Sequence, residues 1–309
     1  MLKSYLLLVV TVIIFSGNLL VGKAINDLPP FTITFFRCFI AFLVILPIAF
    51  NQLRAKEELF RREWKAVVGM SFFGITLFNV LVYSSLNFTT STNAGIVEAT
   101  TPIFTIILGV IFLKEQIGKI QLTGMFISLV GAIWVITKGS WTIISQLQFN
   151  IGDIIMLLAI ISWSIFSILI KQHNSKFPVY GSIAAMLFVS LIILLPFTII
   201  EWYFINPKPF QLKFMLGLLY LGIFPSVIAL LFWNIGVADI GPSRASIFLN
   251  LLPVFTTIGA VLFLGEQVIL AQLLGGVLVI TGVLLSTAKV KKKVNNTSQK
   301  QEVSITQKQ

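Results

Sequence analysis

Charge is what this sequence has least of. Only 11% of its 309 residues are Asp, Glu, Lys or Arg, against about 25% in an ordinary soluble domain. Hydrophobic residues make up 57% and mean hydropathy is +0.98. A chain so composed cannot clothe itself for water and reads as an all-α integral membrane protein. Cysteine and histidine are also nearly absent, with one each, Cys38 and His173. A lone cysteine in an apolar run excludes an internal disulfide, and the pair excludes a Cys/His metal cluster. The chain has no Walker loop, no other phosphate-cradling glycine loop and no Ser/His/Asp set. No catalytic residue, metal or cofactor is therefore expected. The net charge of +11 does not call for nucleic acid, because membrane topology accounts for where the basic residues lie.

What the sequence does have is a repeat. The stretch Pro102 to Gly131 is written again, without a gap, at Pro253 to Gly282. Phe104/Phe255, Thr105/Thr256, Phe112/Phe263, Glu115/Glu266, Gln121/Gln272, Gly124/Gly275 and Gly131/Gly282 all fall in register. The chain is read as a tandem duplication. A spanning helix needs about 20 apolar residues. Ten segments qualify, at about 4–22, 32–52, 65–85, 92–112, 119–137, 152–171, 179–200, 212–233, 245–264 and 269–288. Pro29-Pro30, Pro178, Pro207/Pro209 and Gly241-Pro242 punctuate the joins. Lys3 and the apolar run after it have the look of a cleaved leader, but no small-x-small site follows, so the segment is expected to remain as the first helix. From Lys289 the composition turns to lysine and polar residues and reads as a disordered basic tail.

Lysine and arginine set the expected orientation. With the N-terminus cytoplasmic, 17 of the 22 fall on the inner side, Lys23, Lys138, Lys208 and Lys213 fall outside, and Arg37 stays in the membrane. Both termini are thus expected to be cytoplasmic. Five helices per repeat is an odd number, so the second copy enters the bilayer from the opposite side. Two inverted five-helix repeats are a carrier architecture, in which exchange of conformation between halves alternates access. The expected domains are 1–138, 139–288 and the tail 289–309. With no nucleotide-binding loop, energy must come from a gradient or from none.

Several stretches resemble one family. F-S-G-N-L-L-V-G-K at 15–23 is similar to a W-G-S-N-F opening, Arg37 falls in the second helix, and L-x-E closes both 113–115 and 264–266. Most similar is I-G-P-S-R-A-S-I-F-L-N-L-L-P-V-F-T-T-I-G-A-V-L-F-L-G-E at 240–266. Over residues 4–288 the chain resembles the drug/metabolite transporter superfamily, specifically the ten-helix carriers with two EamA domains. It departs from the pattern at Phe15 and Ser16, in place of Trp-Gly, and at Lys114, in place of Gly. The resemblance implies a multi-pass carrier of the inner (plasma) membrane that exports small metabolites.

Candidate site residues come from charge and polarity at membrane depth, which cost about 2.5–3.5 kcal/mol per charge and default to function. Arg37 and Glu98 fall at matching depths, roughly 8–9 Å below the outer boundary, and Asn18 and Asn79 fall close to that level. In one reading these four residues bind substrate, Arg37 or the asparagines holding a carboxylate and Glu98 holding an amine or carrying a proton. In the other, Arg37 and Glu98 simply pair with each other. The second repeat offers neutral counterparts, with Trp163 and Asn250 as substrate-binding candidates. Pro102 and Pro253 are candidate hinges. Glu115 and Glu266 sit in short turns where each could cap the helix that follows. Gly124/Gly131 and Gly275/Gly282 suit close helix packing, within the chain or in a homodimer. The expected partners are a small-molecule substrate, the lipid bilayer and protons. The expected function is secondary transport of a small polar or zwitterionic metabolite, an amino acid first, in the export direction. The alternatives are a passive facilitator or channel, and a membrane-embedded lipid-handling protein or enzyme.

Overall fold

The computed structural model describes residues 2–146, 150–264 and 269–287. The tail 289–309 and Glu266 lie outside the described residues. All regular structure among the described residues is helical. Apolar composition explains why: in hydrocarbon a helix satisfies its own backbone, and an open strand cannot. Nine of the helices are long and apolar enough to cross a membrane. They are α1 (Leu2–Ala24), α2 (Pro30–Ala55), α3 (Trp64–Ser85), α4 (Asn93–Leu113), α5 (Lys119–Ile136), α6 (Ile151–Lys176), α7 (Val179–Ile205), α8 (Leu212–Ile240) and α10 (Leu270–Thr287). The tenth expected segment, α9, is present in three pieces, Pro242–Ile247, a 3-10 turn Phe248–Leu251, and Leu252–Leu264. Short helices Glu57–Arg62 and Trp141–Ser145 lie between α2 and α3 and between α5 and α6.

Both described ends lie on one face of the bundle, as an even number of crossings requires. Tyr5 Oη donates to the Thr287 carbonyl at 3.4 Å, and Ser4 Oγ donates to Asp239 at the end of α8. At the opposite face Lys23 Nζ donates to the Leu86 carbonyl at 2.6 Å, and Lys213 meets Asp27 at 3.3 Å. The start of α2 is fixed there by Glu201 of α7. Its carboxylate accepts from the Phe31 N–H at 3.0 Å, the Thr32 N–H at 2.7 Å and the Thr32 hydroxyl at 2.9 Å. A carboxylate from the second half thus caps a helix of the first half.

The irregularities come in matched pairs. Residues Ser71–Leu77 of α3 and Phe224–Ala229 of α8 are wound as π-helix. α4 breaks at Ala99–Thr100 and α9 at its 3-10 turn, each just before a proline, Pro102 and Pro253. Pro102 has no N–H to give the Glu98 carbonyl, and the Thr101 hydroxyl donates to that carbonyl instead, at 2.5 Å. The glycines of α5 and α10 pack inside the chain. A Cβ at Gly124 would stand 2.6 Å from the Gly282 carbonyl oxygen, and one at Gly131 would stand 2.8 Å from that of Gly275. Backbone meets backbone along this pair, as small residues in membrane helices permit.

Candidate functional site

The site is built around Arg37, which is 4% exposed. Its Nε donates to Ser226 Oγ of α8 at 2.9 Å. Its Nη1 donates to Asn79 Oδ1 of α3 at 2.6 Å, to Asn18 Oδ1 of α1 at 3.2 Å, and to the Tyr83 hydroxyl. Local irregularity aims these acceptors. Asn79 Nδ2 donates to the Ile75 carbonyl at 2.7 Å and Ser226 Oγ to the Leu221 carbonyl at 2.7 Å. Ile75 and Ser226 belong to the two π-helical turns, a distortion that recurs at functional sites. Every acceptor is neutral. Arg37 makes no ion pair with a described residue, and its Nη2 has no hydrogen-bond partner among them.

Arg37 lines a narrow cavity with Asn18, Asn79, Glu98, Thr101, Trp163, Ser226 and the apolar Phe15, Phe78, Leu230 and Leu249. The centre of a water molecule can move through about 40 Å³ of it, room for roughly three waters at ~10–15 Å³ each. A metabolite therefore enters only if the helices part. Glu98, at the break in α4, is partly buried on the same wall, and its carboxylate makes no hydrogen bond or ion pair with a described residue. One cation and one acid thus share a cavity without neutralising each other. Its floor is aromatic: Trp163 packs against Phe78, Phe166 and Trp233 with ring centroids 4.7, 5.1 and 5.3 Å away, and edge-on to Phe15 at 5.8 Å.

Five of the six residues expected to bind substrate, Asn18, Arg37, Asn79, Glu98 and Trp163, line this one cavity. The alternative reading of Arg37, an internal pair with Glu98, is not what forms. Neutral oxygens from α1, α3 and α8 hold Nε and Nη1 of the guanidinium, and the Glu98 carboxylate has no partner among the described residues. Asn250 is off the wall. It is fully buried and its Nδ2 donates to Ser128 Oγ of α5 at 2.8 Å, because the 3-10 turn points the neighbouring Leu249 into the cavity instead. Glu115 does not cap α5. It accepts a hydrogen bond from Ser243 Oγ at the start of α9 and reaches Gly241, whose positive φ of 89° shapes the turn. The carboxylate prefers this N-terminus in the other repeat because a hydroxyl is offered there.

Sequence reasoning missed the role of Tyr83, whose hydroxyl accepts from Arg37. It also missed both π-helical turns. A signal for them existed: in the register that lays Pro102 on Pro253, Gly74 falls on Pro225, a helix-breaking residue at one position in both copies. Gly74 is also where the Phe166 ring packs against α3, in space that a Cβ would need.

A bundle of apolar helices in two halves, closed around a cavity that holds a buried arginine and an acid between distorted helices, has the architecture of a membrane transporter. The EamA-like transporter family model matches residues 2–137 and again 150–288. The chain belongs to that family. It is 28% identical over 288 residues to an uncharacterized transporter of Archaeoglobus fulgidus, covering 93% of this chain and 98% of the relative. It is 30% identical over 267 residues to the uncharacterized transporter YyaM of Bacillus subtilis, covering 84% of each. A WAT1-related protein of Arabidopsis thaliana is 25% identical over 283 residues, covering 86% of this chain and 81% of the relative. One crystal structure superposes with a TM-score of 0.74 at 18% identity, over 92% of this chain and 97% of the other, and shows the same fold. The protein is thus a multi-pass membrane transporter of a small-molecule substrate.

Proposed function

We propose that this chain is a secondary carrier of small zwitterionic metabolites, amino acids first, which exports them across the plasma (inner) membrane by alternating access. The observation that carries this reading is the unneutralised pair in one cavity. Arg37 offers a free Nη2 and Glu98 a free carboxylate, a complement for a carboxylate and an amine on one substrate. When the substrate is absent, Glu98 can take a proton, which ties transport to a proton gradient. Both termini face the cytoplasm in this reading, on the bias of lysine and arginine. Export as the direction rests on the resemblance to other carriers of the fold. Pro102 and Pro253 act as hinges, since each follows a break that can absorb rotation of half a helix.

The experiment is counterflow in proteoliposomes with a radiolabelled amino-acid mixture. The wild type should show exchange accelerated by unlabelled amino acids on the far side, while Arg37→Gln should show none. A flux that is indifferent to substrate on the far side would mean a pore, and no flux at all would remove the amino-acid class.

A further inference from the structure

At the aromatic floor and beyond it, toward the face that carries the described chain ends, lies a second group of polar atoms without partners among the described residues. Among the described residues the indole N–H groups of Trp163 and Trp233 have no hydrogen-bond partner, and neither atom of the Asn234 amide has one. These side chains are 5%, 0% and 2% exposed. Buried polar groups of this kind are almost always paired, and an indole N–H in a membrane protein normally finds a partner. Three orphaned side chains grouped at and beneath the floor are therefore a feature to explain. Their placement suggests how. Trp163 is on the cavity wall, and its ring lies against that of Trp233. On α8, Leu230 lines the cavity and Asn234 follows it by one turn, on the same face of the helix. Ser226, which holds Arg37, and Asn234 are separated by about 12 Å of helix rise. Symmetry adds a second argument: in the register that lays Pro102 on Pro253, Asn234 falls on Tyr83, a member of the Arg37 cluster.

We infer that Trp163, Trp233 and Asn234 form a second substrate level, closed in this structure, that takes over the carboxylate of the transported metabolite when the end of the bundle bearing the chain termini opens. This rests on the carrier reading above. The level holds neutral donors and no fixed cation, so it binds a carboxylate by hydrogen bonds and more weakly than Arg37 does. That asymmetry lets substrate leave by this end.

The test uses the full-length protein in proteoliposomes with the radiolabelled amino-acid mixture. Trp233→Phe keeps an aromatic ring and loses the N–H, and Asn234→Leu replaces the amide with an apolar group of similar size. Because neither loses a hydrogen bond seen here, both should keep or raise the thermal midpoint of wild type, yet exchange should fall at least about tenfold, the ratio that corresponds to ~1.4 kcal/mol. Exchange within twofold of wild type in both variants would overturn the inference, as would a loss of exchange matched by a lower midpoint. A second measurement needs no substrate: in a Cys38→Ala background, Asn234→Cys should react with a membrane-impermeant thiol reagent applied at the terminus-bearing face, and failure to react would also overturn it. If the cysteine reacts while wild type exchanges no amino acid, the inner level stands and the metabolite class falls.

Discussion

The two halves of this transporter share a fold and differ in charge where they meet the cavity. The first contributes Arg37, Glu98, Asn18, Asn79 and Tyr83, and nearly all of its polar atoms there are either bonded or aimed into the cavity. The second contributes Ser226 to the same cluster and otherwise Trp163, Trp233 and Asn234, whose polar atoms are buried and orphaned. A duplicated gene has thus kept its scaffold twice and its charges once. The difference teaches that the two copies share helix geometry, down to the paired π-helical turns and prolines, while the side chains they present to the cavity have diverged.

The comparison breaks first at Arg37. Arg37→Ala would remove the bonds that Arg37 makes to four oxygens on three helices, leaving Asn18 Oδ1 only the Tyr83 hydroxyl as a donor, at about 1.5–3 kcal/mol for each hydrogen bond to a charged group. It should abolish exchange and lower the thermal midpoint more than any other single change at the cavity, and a variant that transports normally would remove the site. Next comes Gly131→Val, which places methyl groups where the Gly275 carbonyl is already 2.8 Å from the position of a Cβ. Overpacking of this kind costs about 1–3 kcal/mol, so the midpoint in detergent should fall although the change lies in a helix that does not line the cavity. Glu98→Gln should leave folding intact, because its carboxylate has no partner among the described residues to lose. Exchange should persist at a reduced rate and lose its dependence on pH, whereas full, pH-dependent exchange in this variant would take the proton away from Glu98.

Smaller still, Pro102→Ala and Pro253→Ala compare the hinges directly. Each restores an N–H where a helix now breaks, and stopped-flow efflux should slow several-fold in both. A loss in one alone would show that the halves do not rock equally. The least effect belongs to the surface. Lys176 Nζ donates to Glu63 at 2.9 Å, and this contact, with Arg62 and His173 nearby, holds the Glu63 carboxyl below its usual range. A depressed carboxylate contributes stability above its unfolded pKa and loses it as pH falls through the folded one. Glu63→Gln should therefore lower the thermal midpoint slightly at neutral pH and match the wild type in acid, which flattens the acid limb of the profile.

How much of this was legible follows from what each level of structure depends on. Ten apolar segments, their joins and their pairing into two copies were all written in composition and period, because a bilayer leaves the backbone few options. Arg37 and Glu98 stood out because a charge at depth is rare. Their relation did not. Whether an arginine pairs with an acid or with four neutral oxygens depends on how α1, α3 and α8 pack around α2, which no linear spacing encodes. Asn250 was one residue from the cavity in depth but turned away by a 3-10 twist, and Glu115 was read toward its nearest neighbour in sequence when its partner, Ser243, lay in the other half. Depth can be counted along a chain, but azimuth is lost wherever the helix unwinds.

The seam between α5 and α10 has a further meaning. Gly124 lies against Gly282, which is the copy of Gly131, and Gly131 lies against Gly275, which is the copy of Gly124. Each residue therefore meets the counterpart of the other, which is the rule of an isologous two-fold contact. The polypeptide carries inside itself the interface of an antiparallel homodimer. Such a seam would serve two separate five-helix chains as well as it serves the two halves of one.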